Sequence, residues 1–373
     1  MNQLPRVVHA VGLVCIFVVS SALAQMIAPA PPAALRKATL PFPIKSADSL
    51  KPEEIALINS AVAENFAALL DPSPAVQQSA REAIINDSRA VGDPSAAFSN
   101  AYAQAVVSNI TARAIANAKP IRVRLNAAVA LARVAEAIQN PKLEPAVLMF
   151  LADNQPYGLR LWGVKAAKGI LPELAKANAA QKLLAAVMNT VKKYPTGAMT
   201  ADAYEALQVR DAAMINAMLE VIYYRVALYK KGLPEDPHAE AGPFGFFTKL
   251  NVWNALNPAQ RVKVMQAFCD VLVLAAYHGD AQPQGPGPRE LLLQVVKGVC
   301  QSLQVAAQPD LIGDKDLEAA AVTAIRVIGT SGANLSQAIK DIPPVIRKIK
   351  GYEAVAEPKL VPPPSTNPIV VSN

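Results

Sequence analysis

The chain has 373 residues, 52% of them hydrophobic and 17% charged, so it can bury a large core and is not a disordered polymer. Its net charge of +7 is a mild excess over this length, which argues against a nucleic-acid partner. Aromatic residues make up only 5% and much of the apolar content is alanine, which favours close helix–helix contact over a sheet core.

The N-terminus reads as a secretory signal over residues 1–24. Arg6 adds positive charge, Val11 to Val19 form an apolar run, and Ala22 and Ala24 supply the small residues that a signal peptidase needs. Cleavage after Ala24 implies an exported protein, periplasmic or extracellular. The alternative is an uncleaved signal anchor, because Val7 to Ala24 is about long enough to span a membrane. No later segment reads as transmembrane. Residues 25–49 follow as a Pro/Ala-rich linker, with Pro29, Pro31, Pro32, Pro41 and Pro43.

Residues 50–356 carry helical signals. Asp71-Pro72-Ser73-Pro74, Asp93-Pro94, Asn140-Pro141 and Asn257-Pro258 each set a capping side chain beside a proline that suits a first helical turn. No Asn-Gly or Asp-Gly hairpin dipeptide occurs. One pattern recurs: an apolar residue, a small one four later, then small and apolar residues at seven and eight. It appears as Val76, Ala80, Ala83, Ile84; as Val123, Ala127, Ala130, Leu131; as Leu159, Gly163, Ala166, Ala167; and as Leu317, Ala321, Ala324, Ile325. Small residues on one ridge let a neighbouring helix approach, so the pattern suits antiparallel helix pairs that stack.

These stretches resemble HEAT-type helical repeats. The residues that carry the likeness are Arg124 before Ala127-Ala128, Arg160 before Ala166-Ala167, and the turn residues Asp71 and Asp153. The resemblance covers roughly residues 71–174, and 313–329 more loosely. It implies an all-α fold, an α-solenoid of HEAT/armadillo-like helix pairs, with a repeat ladder in which Asp153, Arg160 and Arg124 pair within or between repeats. Gln77 and Glu318 stand where that ladder expects arginine. A non-repeating helical bundle is the competing architecture.

Residues 230–251 hold Gly232, Pro234, Pro237, Gly242, Pro243 and Gly245 and read as an irregular insertion. Its aromatics Phe244, Phe246 and Phe247, with Trp253 just beyond, either anchor a partner or pin the loop to the helices. Arg261 to Tyr277 shows a wide apolar face that includes Cys269. A second break over 279–288 leads to a helix bearing Cys300. In an oxidising compartment these two cysteines, near register on facing helices, suggest a disulfide; two buried free thiols are the alternative. His278 reads as a cation at a helix C-terminus. The tail, 357–373, with Pro358, Pro362, Pro363, Pro364 and Pro368, reads as extended or disordered. Lys340, Arg347, Lys348, Lys350 and Lys359 make the C-terminal part basic.

No residue set specifies a reaction, a metal or a cofactor. The expectation is an exported helical-repeat scaffold or interaction protein that holds another protein or an envelope polymer. Two alternatives remain. One is an enzyme with a site among Glu235, Asp236, His238 and Glu240. The other is an envelope-associated protein held by its basic C-terminal part.

Overall fold

A computed structural model describes residues 40–361 apart from Val91 and Ser331. The signal expected over 1–24, most of the linker and the end of the tail lie outside the described residues. Among those described the fold is all-α with no strand, and Ala90 and Gly92 form an isolated bridge. The helices are α1 (Phe42–Ser46), α2 (Pro52–Ala68), α3 (Pro74–Ser88), α4 (Ala96–Ala112), α5 (Ile121–Ile138), α6 (Glu144–Leu151), α7 (Tyr157–Lys176), α8 (Gln181–Lys193) and α9 (Gly197–Leu207). They continue as α10 (Ala212–Tyr229), α11 (Gly242–Phe247), α12 (Leu250–Trp253), α13 (Pro258–Asp280), α14 (Pro288–Ala306), α15 (Lys315–Ile328), α16 (Leu335–Ile339) and α17 (Ile342–Lys348). None is long and apolar enough to cross a membrane among the described residues.

Side-chain caps start many of these helices. Asn257 accepts from the Gln260 amide while the Gln260 side chain accepts from the Asn257 amide, a reciprocal capping box. Thr196, Asp211 and Asp314 cap α9, α10 and α15. Asp93 lies two residues ahead of the cap that forms, because Ser95 accepts the Phe98 amide at the start of α4. Asp71 is also displaced: its carboxylate accepts the Ser73 amide in the turn before α3.

Many of the helices pack on an element two or so further along the chain. α3 lies against α5, α5 against α7 and α7 against α9. α2 lies against α4, α6 against α8, α8 against α10, and α10 against α13. Within pairs, α6 packs on α7 and α13 on α14. Small residues make these contacts close. A Cβ on Gly169 of α7 would stand 2.5 Å from the Ala135 carbonyl of α5, so only glycine lets the two backbones meet there. The recurring apolar and small positions Val76, Ala80, Ala127, Ala130, Leu159, Ala166, Ala321 and Ala324 are all buried.

Two segments differ from the sequence expectation, and the tail adds a contact to it. The linker gives way to packed structure by Leu40. Leu40 and Ile44 are buried, the Leu40 amide donates to Asp87, and the Lys45 ammonium donates to the Asn86 and Arg89 carbonyls at the end of α3. Within 230–251 only residues 230–236 are irregular; a 3-10 turn (Pro237–Ala241), α11 and the start of α12 make up most of the rest. Pro237 and Pro243 fall in first turns, where no amide hydrogen is required of them, and Asp236 takes the left-handed conformation (φ 45°). The described part of the tail is extended but attached, with Pro358 buried and Glu357 paired to Arg347.

Candidate functional site

The outward faces of α5, α7 and α9 form a groove of about 320 Å³. Its floor is built from small or rigid residues, Ala132, Gly169 and Pro172, which keep side chains out of the space between neighbouring helices. Trp162 of α7 is half-buried in its wall, with the Lys165 ammonium 5.0 Å from its ring centroid.

Charged pairs line this groove. Lys165 meets Asp202 at 3.5 Å and Lys168 meets Glu205 at 2.7 Å, both from α7 to α9. Arg133 meets Glu136 at 2.9 Å along α5. Burial pushes the Asp202 carboxyl above the usual carboxylate range, and the Lys165 charge opposes that shift. Lys168, Glu205, Arg133 and Glu136 are each roughly half-exposed or more, so each pair contributes at most about 1 kcal/mol and exchanges readily for other contacts. A second hollow of about 290 Å³ shares Arg133 and Glu136 and extends towards Arg89, Asp93 and Pro94.

A different cluster lies inside the molecule. Arg225 of α10 donates to the Glu240 carboxylate, to the Pro195 carbonyl at 2.5 Å and to the Glu235 carbonyl at 3.1 Å. Neither Arg225 nor Glu240 exposes any side-chain surface. The Tyr204 and Tyr229 hydroxyls and the second Glu240 oxygen are buried beside them without a hydrogen-bond partner among the described residues. Burial raises the Glu240 carboxyl above its ordinary range, against the pull of Arg225. Burial also pushes both tyrosines well up, and the Glu240 charge adds to it. The cluster ties residues 235–240 to α10 and to the start of α9. There a Cβ on Gly197 would collide with Asp236.

The residues singled out from sequence separate into those that meet and those that do not. Asp153 accepts from Arg160 at 2.9 Å, and Arg160, wholly buried, also donates to the Gln155 carbonyl. Arg124 does not join this ladder: its Nε is buried without a partner among the described residues. Gln77 stands in for arginine by donating to the Asp71 carbonyl at 2.7 Å, and Glu318 accepts from Gln308 at 3.0 Å. Phe244, Phe246, Phe247 and Trp253 are buried, so they serve as pins, not as an exposed anchor. The Phe244 ring lies 4.4 Å from that of Phe268 on α13.

Glu235, Asp236 and His238 are exposed while Glu240 is buried, so these four do not converge. Cys269 and Cys300 stand as free, buried thiols, not as a bridge, and burial pushes each up to about 12. His278 is not a charged cap. It is buried, its Nε2 donates to the Tyr229 carbonyl at 2.8 Å, and burial lowers its pKa. No group of three His, Cys, Asp or Glu among the described residues is placed to hold a metal.

Trp162 and Arg225 were not singled out from sequence. Lys165 and Lys168 lie as far before Asp202 and Glu205 as one helix pair is long, and that common offset was the available signal for the groove. No family model, curated protein or solved structure matches the chain.

Proposed function

We propose that this chain is an exported helical-repeat scaffold, an α-solenoid of the HEAT/armadillo-like kind, and that its α5–α7–α9 face holds an extended partner, a protein or an envelope polymer. Export rests on Arg6, the apolar run and Ala22-x-Ala24. The solenoid reading is supported by helices that pack on the element two further along the chain and by the buried small residues at repeat-equivalent positions. One observation carries the binding reading: a half-buried tryptophan stands in a groove across three packed helices, ringed by exchangeable ion pairs. Aromatic side chains supply contact area at low entropic cost, and such pairs can trade partners without stranding a buried charge.

The test is affinity capture from the native envelope or medium, with the wild-type chain and with Trp162→Ala and Lys168→Glu variants that keep the wild-type melting temperature. The expected result is one reproducible partner that both variants lose. An unchanged partner set with both variants would place binding elsewhere.

A further inference from the structure

The last described residues do more than trail off α17. Gly351 turns the chain with φ 94°, its amide bonded to the Glu353 carboxylate. The segment beyond then runs along α13. Tyr352 lies within reach of the Arg261 charge, Ala356 is bonded to Gln266, and Glu357 is close enough to act on the Cys269 thiol. Residues 352–355 close a turn, with the Val355 amide donating to the Tyr352 carbonyl at 3.0 Å, and residues 355–358 then run extended past Gln266.

The contact at Gln266 is of a particular kind. Its amide nitrogen donates to the Ala356 carbonyl at 2.8 Å and its amide oxygen accepts the Ala356 N–H at 2.8 Å. A side-chain amide that reads both polar groups of one backbone residue recognises extended polypeptide and not a particular side chain. Asp270, one turn along, holds the Gln266 amide in place at 2.9 Å. Val355 and Pro358 are buried on either side of this clamp, while Ala356 and Glu357 are exposed.

We propose that residues 352–358 are a releasable strap, that its extended part, residues 355–358, lies on a face of α13 that takes an extended peptide, and that the strap guards Cys269. The strap is held by one side-chain clamp, two buried side chains flanking it, Tyr352, and an exposed Arg347–Glu357 pair that water screens. Segments held by so few contacts open locally without unfolding the rest. Cys269 follows Gln266 by three residues on the same face of α13, whereas Cys300 is on α14 and belongs to the packing between helices.

The experiment measures labelling of both thiols by an alkylating reagent, read by mass spectrometry on the full chain, with Cys300 as internal reference. In Val355→Asp, Cys269 should label at least about tenfold faster than in the wild type, the factor given by ~1.4 kcal/mol of lost strap stability, while Cys300 is unchanged. Gln266→Ala, which removes only the clamp, should give a smaller acceleration and serves if Val355→Asp does not fold. A synthetic peptide with the sequence of residues 352–360 should slow Cys269 again in Val355→Asp and protect less in Gln266→Ala. No acceleration, or equal acceleration of both thiols, would overturn the strap. A peptide that gives no protection would overturn that face of α13 as a peptide site.

Discussion

Three buried arginines organise the turns between helices, and each does so by collecting loop oxygens, at least one of them a backbone carbonyl. Arg160 donates to Gln155 and Asp153, Arg225 to Pro195, Glu235 and Glu240, and Arg289 to Gly279, Ala333 and the Gln284 side chain. A guanidinium has donors enough to satisfy several loop carbonyls that a buried turn would otherwise strand. Arg225 carries the greatest risk, since its counter-charge Glu240 is equally enclosed. Glu240→Ala leaves the guanidinium unpaired in the interior and should cost about 3–5 kcal/mol in urea unfolding. A loss under about 1 kcal/mol would mean that the pair is replaceable by water. His278 gives a pH-dependent counterpart. Its folded pKa is lowered by burial, so between that value and the unfolded value of about 6.5 the unfolded chain binds the extra proton. Stability is therefore full above about pH 6.5 and is lost as pH falls through that value towards the folded pKa. The melting temperature should fall more between pH 7.5 and 5.5 in the wild type than in His278→Gln; equal falls would rule out His278 as a source of the acid sensitivity.

At the scale of elements, glycine placement decides how closely α5 and α7 approach. Gly169→Ala drives a methyl group into the Ala135 backbone, which cannot rotate away as a side chain could. The expected cost is about 1–3 kcal/mol. Gly158 lies on the same helix, and nothing stands within 4 Å of an added Cβ, so Gly158→Ala should be neutral or stabilising by up to about 1 kcal/mol. Opposite signs for the two variants in thermal melts would confirm the close approach, and equal effects would deny it. Helix existence was legible in the sequence because caps and 3.6-residue periodicity are local. Asn140 and Asn257 cap as read, and the small-residue positions are buried apart from Ala83, which is half-buried. What was not legible depends on partners far along the chain. The Gly- and Pro-rich stretch 230–251 looked irregular by composition, yet Phe244, Phe247 and Glu240 draw it into the core against α13 and α10. The same long-range packing hid the groove. Trp162 reads as one more apolar position on α7 until α5 and α9 are set beside it, and Lys165 and Lys168 acquire Asp202 and Glu205 only across that contact.

For the whole molecule, the packing order has a consequence for cooperativity. Most helices touch elements one to three steps along the chain; among the described residues the longer links include the 3-10 turn against α14 and Ala356 against Gln266 of α13. In the solenoid proposed above, stability is close to a sum of unit and neighbour terms, so a local defect spreads only as far as those terms carry it. A single shared core would instead lose protection everywhere at once. Phe66 tests the difference because it is fully buried in α2, at one end of the described helices. Phe66→Ala removes enough packing to cost about 3–5 kcal/mol locally. Native-state hydrogen exchange should then quicken in α2, α3 and α4, fade through α5, and leave α13 and α14 at wild-type protection. Uniform loss across all helices would contradict the stacked-repeat reading and favour a single helical bundle. It would also weaken the case for the α5–α7–α9 face as a binding surface, because that case assumes a rigid run of neighbours in which the groove keeps its shape while the ends fray.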